Sequence, residues 1–395
     1  MPRCVLRRRP TPGPTACVPV TIDLVFPVLP PTLDGIGDHT ARLAEALSGR
    51  ATVRVLTAQA EADAISGVSV ETAFSYPPRR GVLMLAEAVR ADPPDWLFLQ
   101  FNQFSYGRWG LNLFLPMVLY QIRRRCPGTR LAVLFHEDFL PATTWKNAIM
   151  TTWQRVQFWA LGRLADRVFF SIEPWGQQYQ SWFPETPVDH LPVGSNIPRA
   201  EAEREVVRRR LGIDEETVVL GVFGSLHESR LLSHVRAAAG AIQDDAEDVL
   251  LLYIGPHGED FRRAMGELSV LDAGRLPAGA VSRHFRAMDV YLAPFVDGAS
   301  TRRGSLMTGL QHGVPTVSTE GPLTDSVLQE ADGKAVRLSP VENVDAFARC
   351  VRGLQRNPGR RAEIGAAGRQ LYEENFTFDA LAERLITHLS SEVVA

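Results

Sequence analysis

The chain has 395 residues, of which 45% are hydrophobic and 22% are charged, and its formal net charge is −3. This length favours two domains over a single core, and the composition is typical of a soluble globular protein. The small net charge excludes a general electrostatic affinity for nucleic acid or for an anionic membrane.

The amino-terminal residues are predicted to form a disordered leader. Residues 1–17 contain a basic cluster and several prolines but lack the apolar core of a signal peptide. No apolar run is long enough for a transmembrane helix. The four cysteines are Cys4, Cys17, Cys126 and Cys350. Their spacing matches neither a disulfide framework nor a metal-binding motif. We therefore expect a disordered leader and a cytoplasmic protein, and the basic leader leaves peripheral membrane contact open.

From Val18 onward, strand and helix patterns alternate. Strands are predicted at Val20–Phe26, Thr52–Thr57, Val68–Phe74, Asp95–Phe101, Arg130–Phe135 and Val168–Ile172. A first helix is predicted with Ile36, Leu43, Ala44 and Leu47 on one face, and further helices are predicted at Gly81–Ala91, Leu111–Arg125 and Thr144–Leu164. Alternation with short connections predicts a parallel sheet covered on both faces, so residues 18–198 form the first predicted domain.

The alternation restarts after a break rich in proline and glycine near residue 198. Strands are predicted at Val218–Phe223, Val249–Ile254, Val290–Ala293 and Thr316–Val317. Helices are predicted at Glu203–Leu211, Ser229–Ile242, Glu259–Leu268, Ala280–Ala287, Ser305–His312 and Asp345–Leu354. Residues 199–376 are thus a second nucleotide-fold domain facing the first across a cleft. Residues 377–395 form a final helix that can cross back onto the first domain.

The stretch Met288–Thr319 carries the strongest functional signal. Its pattern is strand, polar loop, short helix and second strand, and the loop contains Arg302 and Arg303. The helix that follows from Gly304 aims free N–H groups and a positive dipole end at the mouth of the sheet. A phosphorylated small molecule is therefore the predicted ligand.

Two further turns are candidate ligand contacts. Gly35 and Gly37 lie between the first strand and the first helix, where glycines let backbone N–H groups approach a phosphate or sugar. The alternative is a tight turn without a ligand. The missing third glycine of the dinucleotide motif counts against a nicotinamide enzyme. Arg230 is expected at the start of a helix, within reach of a diphosphate, and the alternative is a surface arginine without a partner.

The predicted strand Arg130–Phe135 is followed directly by His136, Glu137 and Asp138. The carboxyl ends of parallel strands face the ligand cleft, so this histidine is placed to bond a sugar hydroxyl or to support charge beside a leaving group. The alternative is a histidine that fixes the loop to a neighbouring helix. Five of the seven tryptophans fall in residues 145–182, and most of them are assigned to packing.

Together these segments resemble a known family. PPTLDGIGDHTARLAEAL, LFHEDF, LPVGSNI, the GSLHESR turn and APFVDGASTRRGSLMTGLQHGVPTVST occur in the order expected of a GT-B glycosyltransferase. The chain after about Val18 is most similar to family 4, the retaining transferases that use activated sugars. The resemblance implies an α/β fold of two facing Rossmann-like domains. It also implies a nucleotide sugar bound mostly by the second domain, an acceptor bound mostly by the first, and neither cofactor nor metal.

The resemblance also implies roles for individual residues. Catalytic roles fall on His136, Arg230 and Arg303. Donor-binding roles fall on Gly35, Gly37, Ser225, Arg302, Gly304, Ser305, Leu306 and Thr308. Acceptor-binding roles are assigned to Asn102, Glu137 and Asp138 in first-domain loops.

Two features depart from the family pattern. Arg230 stands at the position of the family's phosphate-binding lysine, but Ser225 replaces its companion arginine. The two glutamates that members commonly carry eight positions apart fall on Ser300 and Thr308, and Asp297 substitutes for one only if the loop is displaced. The anion-binding half of the site is thus retained, and the half that contacts sugar and ribose is rebuilt.

The predicted function is transfer of a sugar from a nucleotide-diphosphate sugar to an acceptor hydroxyl, with retention and without metal. One alternative is a GT-B epimerase or hydrolase, which requires carboxylates such as Glu137, Asp138 or Glu173 near the anomeric carbon. The other is a degenerate, non-catalytic partner subunit. The sequence specifies neither the sugar, the nucleotide nor the oligomeric state, and the acceptor is a small molecule, a glycan or a lipid-linked group.

Overall fold

A computed structural model describes residues 20–75, 80–139, 143–245 and 248–390, so the predicted leader lies outside the described residues. The chain forms two parallel α/β units, as the sequence predicts, with a seven-stranded sheet in the first and a six-stranded sheet in the second. In the described part of the chain, no helix has the length and apolar character required to cross a bilayer.

The first unit carries thirteen strands and α-helices in the order β1 (Thr21–Val25), α1 (Gly35–Ser48), β2 (Thr52–Thr57), β3 (Ser69–Thr72), α2 (Leu85–Ala91), β4 (Trp96–Phe101), α3 (Gln103–Tyr106), α4 (Phe114–Arg125), β5 (Arg130–Phe135), α5 (Trp145–Leu164), β6 (Arg167–Phe170), α6 (Glu173–Tyr179) and β7 (Val188–His190). Its sheet order is β3-β2-β1-β4-β5-β6-β7. Every residue of β4 is buried, as expected for a central strand with helices on both faces.

The second unit contains α7 (Arg204–Leu211), β8 (Val218–Phe223), α8 (Leu232–Gln243), β9 (Val249–Ile254), α9 (Gly258–Met265), β10 (Val270–Asp272), α10 (Ala278–Phe285), β11 (Val290–Ala293), α11 (Gly304–Gln311), β12 (Thr316–Glu320), α12 (Ser326–Glu330), β13 (Arg337–Pro340), α13 (Val344–Gln355) and α14 (Pro358–Asn375). Its sheet order is β10-β9-β8-β11-β12-β13. In both sheets the strand order reverses beside the first strand, and such a reversal opens a crevice at the carboxyl ends of the strands.

The last helix, α15 (Phe378–Ser390), returns to the first unit. Its buried residues Leu381, Leu385 and Leu389 join the core formed by α1 and one face of the first sheet. The two units are therefore connected twice, once by the segment after β7 and once through α15.

Several predicted bounds are wrong, and each error has a local cause. The helix predicted from Ser229 begins only at Leu232, because the backbone of Arg230 forms an antiparallel bridge with Phe295. Arg230 therefore lies in a turn and does not start a helix. The helix predicted from Leu111 begins at Phe114, after a turn in which Trp109 has a φ of 62°. Several elements were not predicted from the sequence, which are β7, β10, β13, α3, α6, α12 and α14.

Candidate active site

The predicted site residues follow the carboxyl ends of β1, β4 and β5 in one sheet and of β8 and β11 in the other. Five of them line a cleft of about 410 Å³ between the two domains, namely Asn102, Glu137, Asp138, Arg302 and Arg303. The first domain contributes Asn102, Gln103, Phe104, Glu137, Asp138 and Phe139, and the second contributes His227, Ser229, Asp297, Arg302 and Arg303. The fold thus places the three predicted acceptor contacts opposite the two loop arginines.

The carboxylate of Asp297 holds both loop arginines. Arg303 donates from Nη2 to Asp297 Oδ1 at 2.9 Å and to Oδ2 at 3.0 Å. Arg302 donates to Asp297 and, across the cleft, to Glu137 of the first domain. The loop arginines are therefore neutralised in part by carboxylates, and one of these ion pairs joins the domains. From the sequence, Asp297 was expected only as a substitute for a glutamate, and its contacts with both arginines were not predicted.

Arg230 lies beneath the same loop. Its guanidinium is 5.3 Å from the centre of the Phe295 ring, and that of Arg303 is 4.6 Å from it. Arg230 is 8% exposed, and its Nη2 donates to Phe223 O at 2.7 Å. Among the described residues, Nε and Nη1 of Arg230 and Nε of Arg302 and Arg303 are buried without a hydrogen-bond partner. Burial lowers the pKa of Arg303, as does the neighbouring Arg302.

The amino end of α11 supplies backbone donors next to these arginines. No side chain caps this helix, so the N–H groups of Gly304, Ser305 and Leu306 have no acceptor within the helix. Leu306 is buried, and Ser305 lies close to Gly224 at the end of β8. Ser225, by contrast, is exposed.

The amino end of α1 is occupied by an acidic side chain. Asp34 Oδ1 accepts hydrogen bonds from Ile36 N at 2.9 Å and from Gly37 N at 2.8 Å. A Cβ atom on Gly37 would lie 2.4 Å from Val28 O, so close packing alone requires glycine there. A Cβ atom on Gly35 would meet nothing within 4 Å. Of the two glycines, only Gly35 leaves open space for a ligand.

His136 is buried directly behind the cleft wall formed by Glu137. Its Nε2 lies 2.6 Å from Gln100 Oε1, and its ring packs edge-on against His39 at 5.5 Å between centroids. Burial lowers the pKa of His136 well below its ordinary value, so the imidazole is neutral at pH 7.

Asp138 combines burial with a hydrogen bond. Tyr179 donates its hydroxyl to Asp138 Oδ2 at 3.1 Å, and Gln103 donates to the Asp138 carbonyl. Burial raises the pKa of Asp138 to about 6. Asn102 caps α3 by accepting from Phe104 N at 3.0 Å, which fixes the neighbouring wall of the cleft.

The positions of the family's two glutamates are closed off from solvent. Ser300 is fully buried, and among the described residues its Oγ has no hydrogen-bond partner. Thr308 is 1% exposed and donates to Gly304 O at 2.8 Å. Its hydroxyl also lies 2.9 Å from Ser195 Oγ in the segment that connects the domains. Thr308 therefore contacts the interdomain connection directly.

The two domains also cap each other's helices, a feature that sequence reasoning missed. Asp325 of the second domain accepts from Glu173 N, the first residue of α6, and from Thr301 N, each at 2.7 Å. Glu173 in return accepts from Ser326 N at 3.2 Å, at the start of α12. Burial raises the pKa of Asp325 to about 6. The reciprocal caps fix the relative position of the domains next to the cleft.

Replacing Asp325 with alanine is expected to lower the free energy of unfolding by ~2 kcal/mol, because two buried backbone N–H groups lose their acceptor. Chemical denaturation followed by fluorescence measures this change. The matched control is Asp379→Ala, since that carboxylate is 78% exposed in its ion pair with Arg50. It should change the free energy of unfolding by less than ~0.5 kcal/mol. Equal effects of the two substitutions would contradict the assigned role of Asp325.

Comparison with known proteins supports the assignment of the fold. The family model for "Glycosyl transferases group 1" matches residues 217–357. A GDP-mannose-dependent monoacylated alpha-(1-6)-phosphatidylinositol monomannoside mannosyltransferase of Corynebacterium glutamicum is 26% identical over 234 residues, which cover 55% of this chain and 60% of that protein. The match thus spans about three fifths of the length of this relative.

Solved structures share the architecture over almost the whole chain. Sucrose-phosphate synthase from Thermosynechococcus elongatus superposes with a TM-score of 0.71 and 15% identity, covering 95% of this chain and 99% of the other. HepE of Anabaena, solved with UDP and glucose, superposes with a TM-score of 0.66 and 15% identity, covering 94% and 100% of the two chains. The chain therefore has the GT-B fold of two facing α/β domains, and its residues 217–357 match the family model for group 1 glycosyl transferases.

Proposed function

We propose that this protein transfers a sugar from a nucleotide-diphosphate sugar to an acceptor hydroxyl, with retention of the anomeric configuration. The observation that carries the proposal is the interdomain cleft, in which second-domain arginines face first-domain carboxylates. The similar proteins support this class of donor: the Corynebacterium glutamicum relative is a GDP-mannose-dependent mannosyltransferase, and the HepE structure was solved with UDP and glucose.

The second domain supplies the site for the diphosphate. Arg302 and Arg303 line the cleft, Arg230 lies beneath them, and the uncapped end of α11 adds backbone N–H groups. Guanidinium groups and helix amino ends are the two donors that bind phosphate most strongly. Asp297 now pairs with both loop arginines, so the incoming diphosphate competes with this carboxylate for them.

In the proposed transfer, negative charge develops next to the arginines and backbone N–H groups of the second domain. As the bond between the anomeric carbon and the diphosphate oxygen breaks, positive charge grows on the sugar and negative charge on the diphosphate. Preoriented arginines and backbone N–H groups stabilise that developing negative charge. The acceptor oxygen forms the new bond on the same face, and its proton passes to the departing phosphate oxygen. Neither a carboxylate pair of the hydrolase type nor a metal takes part in this proposed route.

The first domain supplies the acceptor site, with Asp138 as the residue that accepts a hydrogen bond from the acceptor hydroxyl. Because the pKa of Asp138 is raised to about 6, its carboxylate is mostly protonated at pH 5 and mostly ionised at pH 7. The initial rate of transfer at low acceptor concentration should therefore rise about tenfold over this interval. Asp138→Asn should remove the rise while leaving nucleotide binding unchanged. A variant with the wild-type pH profile would disprove the role of Asp138.

The function itself is tested by adding GDP-mannose or UDP-glucose to the purified chain. Binding to the native state should raise the melting temperature in a concentration-dependent way, and release of GDP or UDP should require an acceptor. Rapid consumption of the donor without an acceptor would favour the epimerase or hydrolase alternative. No shift with any nucleotide sugar of a broad panel would favour a non-catalytic partner.

A further inference from the structure

Helix α5 presents several large apolar side chains to solvent. Trp145 is 71% exposed, Ile149 is 64% exposed and Trp159 is 50% exposed. The face toward the domain buries Phe158 and Leu161 together with the polar side chains of Thr151, Gln154 and Gln157. A helix that met only water on its outer face would carry mainly polar side chains there. The polarity of α5 therefore indicates that something other than water covers its outer face.

The neighbouring helix α4, which packs against α5, continues the apolar surface. Leu113, Met117 and Tyr120 are 62%, 44% and 51% exposed, with the spacing of one helix face, and Trp109 in the preceding turn is 57% exposed. Of thirteen large apolar residues that are exposed in the described chain, nine lie between Phe104 and Trp159. Such a concentration on one side of the protein marks an interaction surface.

The charges on this surface are predominantly positive. Residues 102–136 and 139–165 contain eight lysines and arginines and no aspartate or glutamate, although the whole chain has a net charge of −3. Two acids at the edge already pair with arginines. Asp166 lies 3.1 Å from Arg123, and Glu87 lies 3.5 Å from Arg125. The surface is therefore apolar and positively charged.

Cations and aromatic rings alternate across the same surface. The Arg108 guanidinium lies 4.8 Å from the centre of the Trp109 ring, and Lys146 Nζ lies 5.7 Å from that of Trp145. Tryptophan beside arginine or lysine is the combination that suits the boundary between lipid headgroups and acyl chains. The aromatic ring enters the apolar layer while the cation stays with the phosphates.

We propose that the α4–α5 face, formed by Trp109, Leu113, Met117, Tyr120, Trp145, Ile149, Val156 and Trp159, docks on the surface of an anionic lipid bilayer. Apolar side chains enter the headgroup boundary, and the surrounding lysine and arginines bind lipid phosphates. Charge argues against a second copy of this chain as the occupant, because two such faces would bring like charges together. The docking goes beyond the proposed function and does not require it.

Docking would also orient the cleft. Arg155 on the exposed side of α5 stacks on Phe139 at 4.7 Å, and Phe139 lines the cleft together with Phe104. The bilayer surface and the acceptor side of the cleft are thereby adjacent. If the proposed transfer occurs, a membrane lipid with a hydroxylated headgroup is the class of acceptor that this geometry favours.

Sedimentation of the full chain with vesicles tests the docking directly. Wild-type protein should pellet with vesicles of phosphatidylcholine containing 30% phosphatidylglycerol, at least about tenfold more than with phosphatidylcholine alone, and high salt should weaken the binding. The apolar variant, Trp145→Ser with Ile149→Ser and Trp159→Ser, should lose at least about tenfold in partitioning. The charge variant, Lys146→Gln with Arg155→Gln and Arg163→Gln, should lose a similar factor on anionic vesicles.

Matched controls lie in the second domain. Val206→Ser removes an apolar side chain that is 40% exposed, and Arg209→Gln with Arg210→Gln removes two exposed cations. Both should pellet as the wild type does, and all variants should keep the wild-type melting temperature within a few degrees, since every replaced side chain is exposed.

Wild-type protein that stays in the supernatant would overturn the proposal. An apolar variant that pellets normally would also overturn the proposal, because vesicle binding would then be assigned to the basic leader. A dimer in sedimentation velocity without lipid, abolished in the apolar variant, would identify a second copy as the occupant and would also overturn it.

Discussion

Replacing Arg303 with alanine is expected to lower turnover with GDP-mannose or UDP-glucose by about a hundredfold, the loss typical of removing one preoriented donor from a developing negative charge. Arg303 combines three properties that predict a large effect. It lines the cleft, it stacks on Phe295, and it has a buried Nε without a partner among the described residues. Steady-state release of GDP or UDP in the presence of acceptor measures the effect.

Arg209 provides the control for this experiment, because it is an exposed arginine of the same domain. Arg209→Ala should retain wild-type turnover. Arg303→Lys should recover only part of the activity, since an ammonium group restores the charge without the planar set of donors. Full activity in Arg303→Ala would remove this residue from the proposed chemistry.

Replacing His136 with alanine is expected to reduce turnover by about a hundredfold while changing the dissociation constant of GDP or UDP by less than about threefold. The reason is the position of His136. It belongs to the first domain, whereas the proposed nucleotide site is on the second. Because His136 is neutral at pH 7, its proposed role is that of an uncharged hydrogen-bonding group beside the sugar, and turnover should not depend on the titration of His136 between pH 6 and 8. Calorimetry with GDP and UDP, combined with turnover, separates the two effects.

A purely structural role for His136 has a different signature. The substitution leaves Gln100 Oε1 buried without its partner, so some loss of stability accompanies it in either case. His39→Leu is the matched control, because both ring nitrogens of this buried neighbour already lack partners among the described residues. If His136 only supports the fold, His136→Ala should weaken nucleotide binding and lower the melting temperature together, without a specific loss of turnover.

Local sequence patterns were sufficient for much of the fold. The strands at Val218–Phe223 and Val249–Ile254 were predicted at their observed bounds, and parallel pairing followed from the alternation of strands and helices. A buried strand is recognisable because its apolar run and its boundaries are properties of neighbouring residues. Short strands such as β7 and β13 were missed because three or four half-buried residues carry too little of that signal.

The candidate site was predictable only in part. The alternation of strands and helices predicted that residues after β5 and β11 lie at the carboxyl edges of their own sheets, and the prediction of two domains facing across a cleft brought the two edges together. It did not predict which charges meet there. Arg302 pairs with Glu137 across 165 positions, and nothing in either local pattern indicates that contact. The same applies to Asp325 and Glu173, which are 152 positions apart.

The sequence by itself determined the class of fold and the presence of two α/β units, since composition, periodicity and turn residues act over a few neighbouring positions. Only the tertiary structure decided that Asp297 clamps both arginines and that Trp145 and Trp159 face outward. The spacing of apolar residues reveals the period of a helix but not which side meets the domain, because that orientation depends on side chains supplied by distant segments.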